Sequence, residues 1–201
     1  MAREMGSGTG RETSASPQPP AFGVVGNVQV GRLRETALAA SADPSRAVLE
    51  VQMEGTWSLQ EGQPQFSAVV PVPAVGSVEL AADFPPPLGG WGRSPSPVQY
   101  CLYGATACFL STFAVVAALE GVHLNSLRVR CSARLNLQRF LGVGDAPVVE
   151  SLKWTVLAEA DVGDEELERL RVLAEERCPA TWCLQNRVPV TSEVRRPSPS
   201  G

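Results

Sequence analysis

The sequence predicts an α+β fold, with long helices laid against antiparallel sheet, and three observations carry that expectation. Between Ser94 and Leu119 there is no charged side chain, although 19% of the chain is charged, so something has to bury this segment on nearly every side. Residues 127–137, LRVRCSARLNL, alternate apolar and polar side chains with the period of a strand. Residues 164–177, DEELERLRVLAEER, set Leu167, Leu170, Leu173 and Ala174 on one helical stripe and charges over the rest.

At 201 residues the length suits one domain with tails. Residues 1–21, polar and rich in Gly, Ser and Pro, read as a disordered tail without the apolar core of a signal peptide. A cytoplasmic, reducing address is expected from this. Residues 22–46 form an extension that includes a helix-compatible piece, GRLRETALAA, ended by Asp43–Pro44. The domain itself is expected over 47–194, followed by a short tail, 195–201.

Within the domain, AVLEVQMEGTW reads as a first strand, FSAVVPV as a second and VELAAD as a third. Gly- and Pro-containing turns between them suggest an antiparallel meander. The proline-rich loop FPPPLGGWGRSPSP is stiff and aims the next element. That element is a helix from Pro97 to about Leu119: Ser96 can cap it, Pro97 fits its first position and Gly121 stops it. Two strands follow, LRVRCSARLNL and VVESLKWTVLAEA, joined by FLGVGDAP. Asp164 opens the amphipathic helix and Pro179 stops it. A turn with Trp182 and Cys183 then leads to a last strand, VPVTSEV.

The central segment is long enough to span a bilayer. Gln99, Tyr100, Tyr103, Thr106, Ser111 and Thr112 are scattered around it and no basic cluster flanks it, which favours a buried helix over a membrane span. A single-layer sheet cannot surround a helix that is apolar on every face. A homodimer with the central helices near its two-fold axis is therefore expected.

Net charge is −4, so neither nucleic acid nor an anionic membrane is an expected partner. Five cysteines, Cys101, Cys108, Cys131, Cys178 and Cys183, form no CxxC pair, and the one histidine, His123, stands in no ligand spacing. No metal site and no cofactor is expected. His123, at a helix exit beside Gly121, is also an unsuitable base for a Ser-His-Asp triad. Cys131 falls on the apolar face of its strand and reads as a buried, inert thiol.

Thiol chemistry is what remains. Cys101 and Cys108 share a helix face, but seven residues at about 1.5 Å rise hold their Cα atoms about 10 Å apart, beyond the reach of a disulfide. A partner for Cys108 has to come from elsewhere in the chain. Cys178, at the end of the second helix before Pro179, is placed to be one.

The run SPSPVQYCLYGATACF, then EGVHLNSLRVRCSARLNL, then DEELERLRVLAEERCP and a final VPVTSEV resembles the OsmC/Ohr family across residues 47–194. In that family a proline-led helix carries a small-small-Cys, here Ala-Thr-Ala-Cys108. A second cysteine lies in a Cys-Pro after an acidic helix, here Cys178–Pro179. The resemblance implies antiparallel sheets around a buried central helix in an intertwined homodimer with two interface sites. It also implies that Cys108 reduces an organic hydroperoxide and Cys178 resolves the sulfenic acid as a disulfide, which a thiol reductant reopens. The family's peroxidase members carry a glutamate just after the helix-opening proline, paired with an arginine that activates the cysteine. Here Val98 and Gln99 stand at that place, and no arginine lies on the first three strands.

The closer resemblance is therefore to the broader OsmC-like group than to the hydroperoxide-resistance branch. Two functions are expected from it: a thiol-dependent peroxidase acting through Cys108 and Cys178, or a non-enzymatic protein that holds a small apolar ligand at the dimer interface. If Cys108 ionises, Arg93 on the stiff loop is the expected cation; otherwise Arg93 is a solvated loop arginine.

Overall fold

The computed structural model describes residues 23–196. The tail expected over 1–21 and the end of the C-terminal tail lie outside the described residues. The chain opens with a tight turn, closed by a bridge between Val25 and Val28, and then α1, Val30–Ala42. Val30 is buried, and α1 lies against the middle of the central helix. Asp43 ends α1 and caps the following turn by accepting the Ser45 N–H at 3.1 Å.

Three short strands come next, β1 Glu54–Trp57, β2 Phe66–Val72 and β3 Gly76–Ala82. They form an antiparallel sheet in the order β1-β2-β3. A Cβ at Gly55 in β1 would sit 2.1 Å from the tip of the Phe66 ring, so a larger residue there would make that ring move. Pro71 is tolerated in β2 because β1 pairs only as far as Val69, so the side of Pro71 that lacks an N–H has no strand to bond.

The expected first strand is thus shortened: residues 48–53 form no ladder. Val48, Leu49, Val51 and Met53 are exposed. An alternating pattern makes a strand only where packing sets it beside a hydrogen-bonding edge, and among the described residues none is paired with 48–53.

Asp83, buried beyond β3, gathers the loop that follows by accepting N–H bonds from Trp91 and Arg93, the latter at 2.9 Å. The loop delivers α2, Pro97–Leu119. Ser96 and Gln99 form a reciprocal capping box, and Gly121 leaves the helix at φ +78°, a conformation open to glycine. Tyr100 ties the start of α2 to the first sheet by donating to the Ala81 carbonyl at 2.9 Å.

Beyond the helix, β4 Leu124–Leu135 and β5 Val149–Ala160 pair antiparallel as a separate two-stranded sheet. Their half-buried side chains alternate with exposed ones, as the sequence pattern requires. Then α3, Asp164–Arg177, lays Leu170 and Ala174 on α2. An exposed ion pair from Arg169 to Glu120, 2.7 Å, joins α3 to the end of α2.

The core lies where α2, α3 and the second sheet meet. Phe109, Phe113, Val116, Ala117, Val122, Leu170, Ala174 and Cys178 are all buried there. The buried residues of α2 all lie in its C-terminal half. Its N-terminal half, like much of the first sheet, is only partly covered by the described residues, with Cys101, Tyr103 and Trp57 exposed.

Two further expectations are corrected. Pro179 does not only stop α3 but opens α4, Pro179–Gln185, so Trp182 and Cys183 stand on a helix rather than in a turn. The VPVTSEV segment pairs with no strand and is exposed throughout. It has the pattern of a strand, but packing does not bring it beside an edge of either sheet.

Candidate active site

The site is built by two helix junctions. Cys108 sits midway along α2. Cys178 lies where α3 ends and α4 begins, with extended backbone, φ −79° and ψ 118°. Packing of α3 and α4 on α2 brings the two sulfurs to 3.7 Å although 70 residues separate them in sequence. That is hydrogen-bond distance for a thiol and a sulfur acceptor, and a modest approach would give the 2.03–2.05 Å of a disulfide bond.

The sulfurs differ in environment. Cys178 is 1% exposed, whereas Cys108 is partly accessible. Burial pushes the Cys108 thiol above the ordinary range; the Ala180 backbone N–H opposes this, and the Cys178 sulfur reinforces it. Burial acts the same way on Cys178 but is outweighed. The Thr181 hydroxyl, the Thr181 N–H at 3.5 Å, the Cys108 thiol and the Ala180 N–H all favour its thiolate, so its pKa falls below the usual value. When the pair carries one proton, it therefore rests on Cys108.

Thr181 stands apart from its surroundings. It is 3% exposed, and among the described residues its hydroxyl is the buried side-chain polar atom with no hydrogen-bond partner at ordinary geometry. Leaving a buried hydroxyl unpaired costs about 1–3 kcal/mol. The backbone N–H of the same residue meets the Cys178 sulfur at 3.5 Å.

Trp154 of β5 holds the helix that carries Cys108. Its Nε1–H donates to Thr106 Oγ1 at 3.0 Å, and its ring stacks on Phe109 with centroids 4.8 Å apart and planes 15° from parallel. The two contacts bracket Cys108.

Among the described residues no arginine figures in the ionisation of Cys108. Arg93, the expected cation, turns away: its backbone N–H is held by Asp83 and its guanidinium lies over the turn at Gly62, between β1 and β2. The stiff loop aims α2 as expected, but it points the arginine at its own sheet. Cys101 and Cys183 are exposed, and Cys131 is half-buried rather than fully enclosed.

The sequence reading missed Thr181, Trp154 and Thr106. A signal for the first was present: Cys-Pro-Ala-Thr at 178–181 repeats the form of Ser-Pro-Val-Gln at 96–99, a capping residue, a proline and a polar third position. Nothing local marks Trp154 and Thr106, which meet only through the packing of β5 on α2.

An apolar cavity of about 430 Å³ opens on the first sheet, lined by Met53, Trp57, Phe66, Leu80, Pro97 and Tyr100 among others. Tyr100 is eight residues before Cys108 on α2, about 12 Å along the axis. The cavity and the thiols are separate within one chain.

Comparison with known proteins gives the arrangement its context. An OsmC-like protein from Mycoplasma pneumoniae superposes with a TM-score of 0.50 at 18% identity, over 68% of this chain and 89% of that one. A protein of Psychrobacter arcticus, described with osmotic stress induction and the detoxification response, gives 0.51 at 14% identity, over 67% and 88%. An organic hydroperoxide resistance protein OsmC from Legionella pneumophila gives 0.48 at 20% identity, over 69% and 92%. No curated protein matches the sequence. The family model described as OsmC-like protein matches residues 90–193, which contain both α2 with Cys108 and the α3–α4 junction with Cys178, and the chain belongs to the OsmC-like family.

Proposed function

We propose that the chain is a thiol-dependent peroxidase that reduces organic hydroperoxides with two cysteines, as a cytoplasmic homodimer. The observation that carries this reading is the 3.7 Å separation of the Cys108 and Cys178 sulfurs.

Cys108 is the attacking sulfur because it is the accessible one. Its proton passes to the Cys178 thiolate 3.7 Å away when peroxide binds, against the resting preference of the pair, which keeps that proton on Cys108. The Cys108 thiolate attacks the terminal peroxide oxygen and the O–O bond breaks. The departing alkoxide takes the proton held by Cys178, leaving an alcohol and a sulfenic acid on Cys108. The Cys178 thiolate then attacks the Cys108 sulfur, and the hydroxide released takes a proton from solvent. One disulfide, one alcohol and one water result. A thiol reductant restores the pair.

The homodimer rests on uncovered surface. Tyr103 on α2 is 72% exposed, and Trp57 and Leu80 of the first sheet, with Met53 just before it, are exposed beside the apolar cavity. A second copy would cover both faces at once.

Turnover of a bulky organic hydroperoxide with a dithiol reductant tests the reading. Cys108→Ser should abolish peroxide consumption. Cys178→Ser should stop after one equivalent, with a sulfenic acid on Cys108 that a dione reagent traps. Absence of hydroperoxide consumption by the wild-type protein would overturn the peroxidase.

A second reading draws on the apolar cavity and on the raised Cys108 thiol: a non-enzymatic protein that binds a small apolar ligand at the dimer interface. It requires that Cys108 react with peroxide no faster than a free cysteine does.

A further inference from the structure

A two-cysteine cycle has a second half, in which the disulfide is reopened, and the structure is asymmetric with respect to it. An external thiolate can approach Cys108 but not Cys178, which is 1% exposed. Attack therefore falls on the Cys108 sulfur and Cys178 is the leaving group. As the electron pair of the broken S–S bond collects on Cys178, a buried sulfur becomes negative, and burial alone would oppose this strongly. The groups around it are the Thr181 N–H, 3.5 Å away, and the Thr181 hydroxyl, buried and without a partner of its own. A buried hydroxyl without a partner at ordinary geometry, on the residue whose N–H already meets a buried sulfur, has a use if that sulfur is an anion for part of the cycle.

Resting on the two-cysteine reading above, we propose that Thr181 is a positioning residue for the reductive half-reaction, whose hydroxyl donates to the Cys178 sulfur as it leaves the Cys108–Cys178 disulfide and so directs the incoming reductant to Cys108. The reductant is a dithiol. Its first thiolate forms a bond to the Cys108 sulfur while the Cys108–Cys178 bond breaks, and Cys178 departs as a thiolate. Its second thiolate then attacks the mixed disulfide and releases the Cys108 thiolate, which takes up a proton, so that the dithiol leaves as a cyclic disulfide. Two electrons pass from the dithiol to the protein. A leaving thiol of lower pKa departs faster, so the Thr181 hydroxyl acts on rate and not only on stability.

The test uses the full-length protein, oxidised by a thiol oxidant such as diamide with no peroxide present, and dithiothreitol as the reductant. Thr181→Val keeps the shape and removes the hydroxyl; Thr181→Ser keeps the hydroxyl. Reduction should slow about threefold or more in Thr181→Val and remain near wild type in Thr181→Ser. The thiolate absorbance of Cys178, measured in a Cys108→Ser background as the difference from the matching Cys108→Ser/Cys178→Ser protein, should titrate at higher pH in Thr181→Val and return in Thr181→Ser. Equal rates and equal midpoints in wild type and Thr181→Val would overturn the proposal, as would a Thr181→Ser protein as slow as Thr181→Val. If diamide forms no Cys108–Cys178 disulfide, the two-cysteine cycle fails by itself, and the titration still decides whether Thr181 governs the Cys178 thiolate.

Discussion

Trp154 reaches across from β5 to donate its indole N–H to Thr106 at 3.0 Å and stacks the same ring on Phe109, so it grips α2 on both sides of Cys108. Trp154→Phe should keep most of the stacking and lose the hydrogen bond, lowering stability by about 1 kcal/mol. Urea denaturation measures this. If α2 needs the bond to hold Cys108 over Cys178, diamide oxidation of the pair should also slow, with the final yield of disulfide unchanged.

Mild oxidation should link Cys108 to Cys178 and leave Cys101, Cys131 and Cys183 as thiols, because the first two sulfurs are already 3.7 Å apart. Closing a loop of about 70 residues should stabilise the fold by roughly 4 kcal/mol if the bond forms without strain. Peptide mass mapping identifies the link, and the thermal midpoint of oxidised against reduced protein measures the gain. A Cys101–Cys108 link is ruled out by the helix that holds them apart.

The pH dependence of Cys108 follows from its raised pKa. Less of it is thiolate at neutral pH than of a free cysteine, so alkylation by a small neutral reagent should be slow at pH 7 and climb at a pH above the ordinary cysteine range. Cys178→Ala removes both the hydrogen bond and the charge by which Cys178 disfavours the Cys108 thiolate. The Cys108 profile should shift to lower pH in that variant, yet stay above a free cysteine because burial persists. Arg93→Ala should leave the profile where it is, since the guanidinium lies over the Gly62 turn.

Phe113 and Leu170 face each other's helices in the core, each almost wholly enclosed. Phe113→Ala should cost about 3–5 kcal/mol and Leu170→Ala about 2–5 kcal/mol. Both should lower the stability of the reduced and oxidised protein together. A much smaller loss at Phe113 would mean that the α2–α3 contact is not the centre of the fold.

Sedimentation at falling protein concentration should show a dimer that does not give way to a folded monomer, because the described residues leave Trp57 of the first sheet and Tyr103 of α2 exposed and cover the N-terminal half of α2 only in part. Trp57→Arg and Tyr103→Glu, two charges on those faces, should each impair assembly. A stable folded monomer would remove the reason for the interface.

The sequence by itself determined the elements whose information is local. Ser96, Pro97 and Gln99 are within one turn of each other, so the start of α2 is written in them; the alternation of β4 and the charge pattern of α3 are equally self-contained. The absence of charge from Ser94 to Leu119 shows that α2 needs covering, but not by what. The candidate site was legible only through the resemblance of its two cysteine contexts to a family, since no rule of spacing joins positions 70 residues apart. Tertiary structure decided the rest. It made α4 from a Cys-Pro that locally reads as a stop. It left residues 48–53 and 188–194 unpaired because a strand pattern needs an edge that another segment supplies. It also turned Arg93 away and set Thr181 beside Cys178, because the direction of a side chain and the burial of a sulfur are properties of the packed neighbours rather than of the residue.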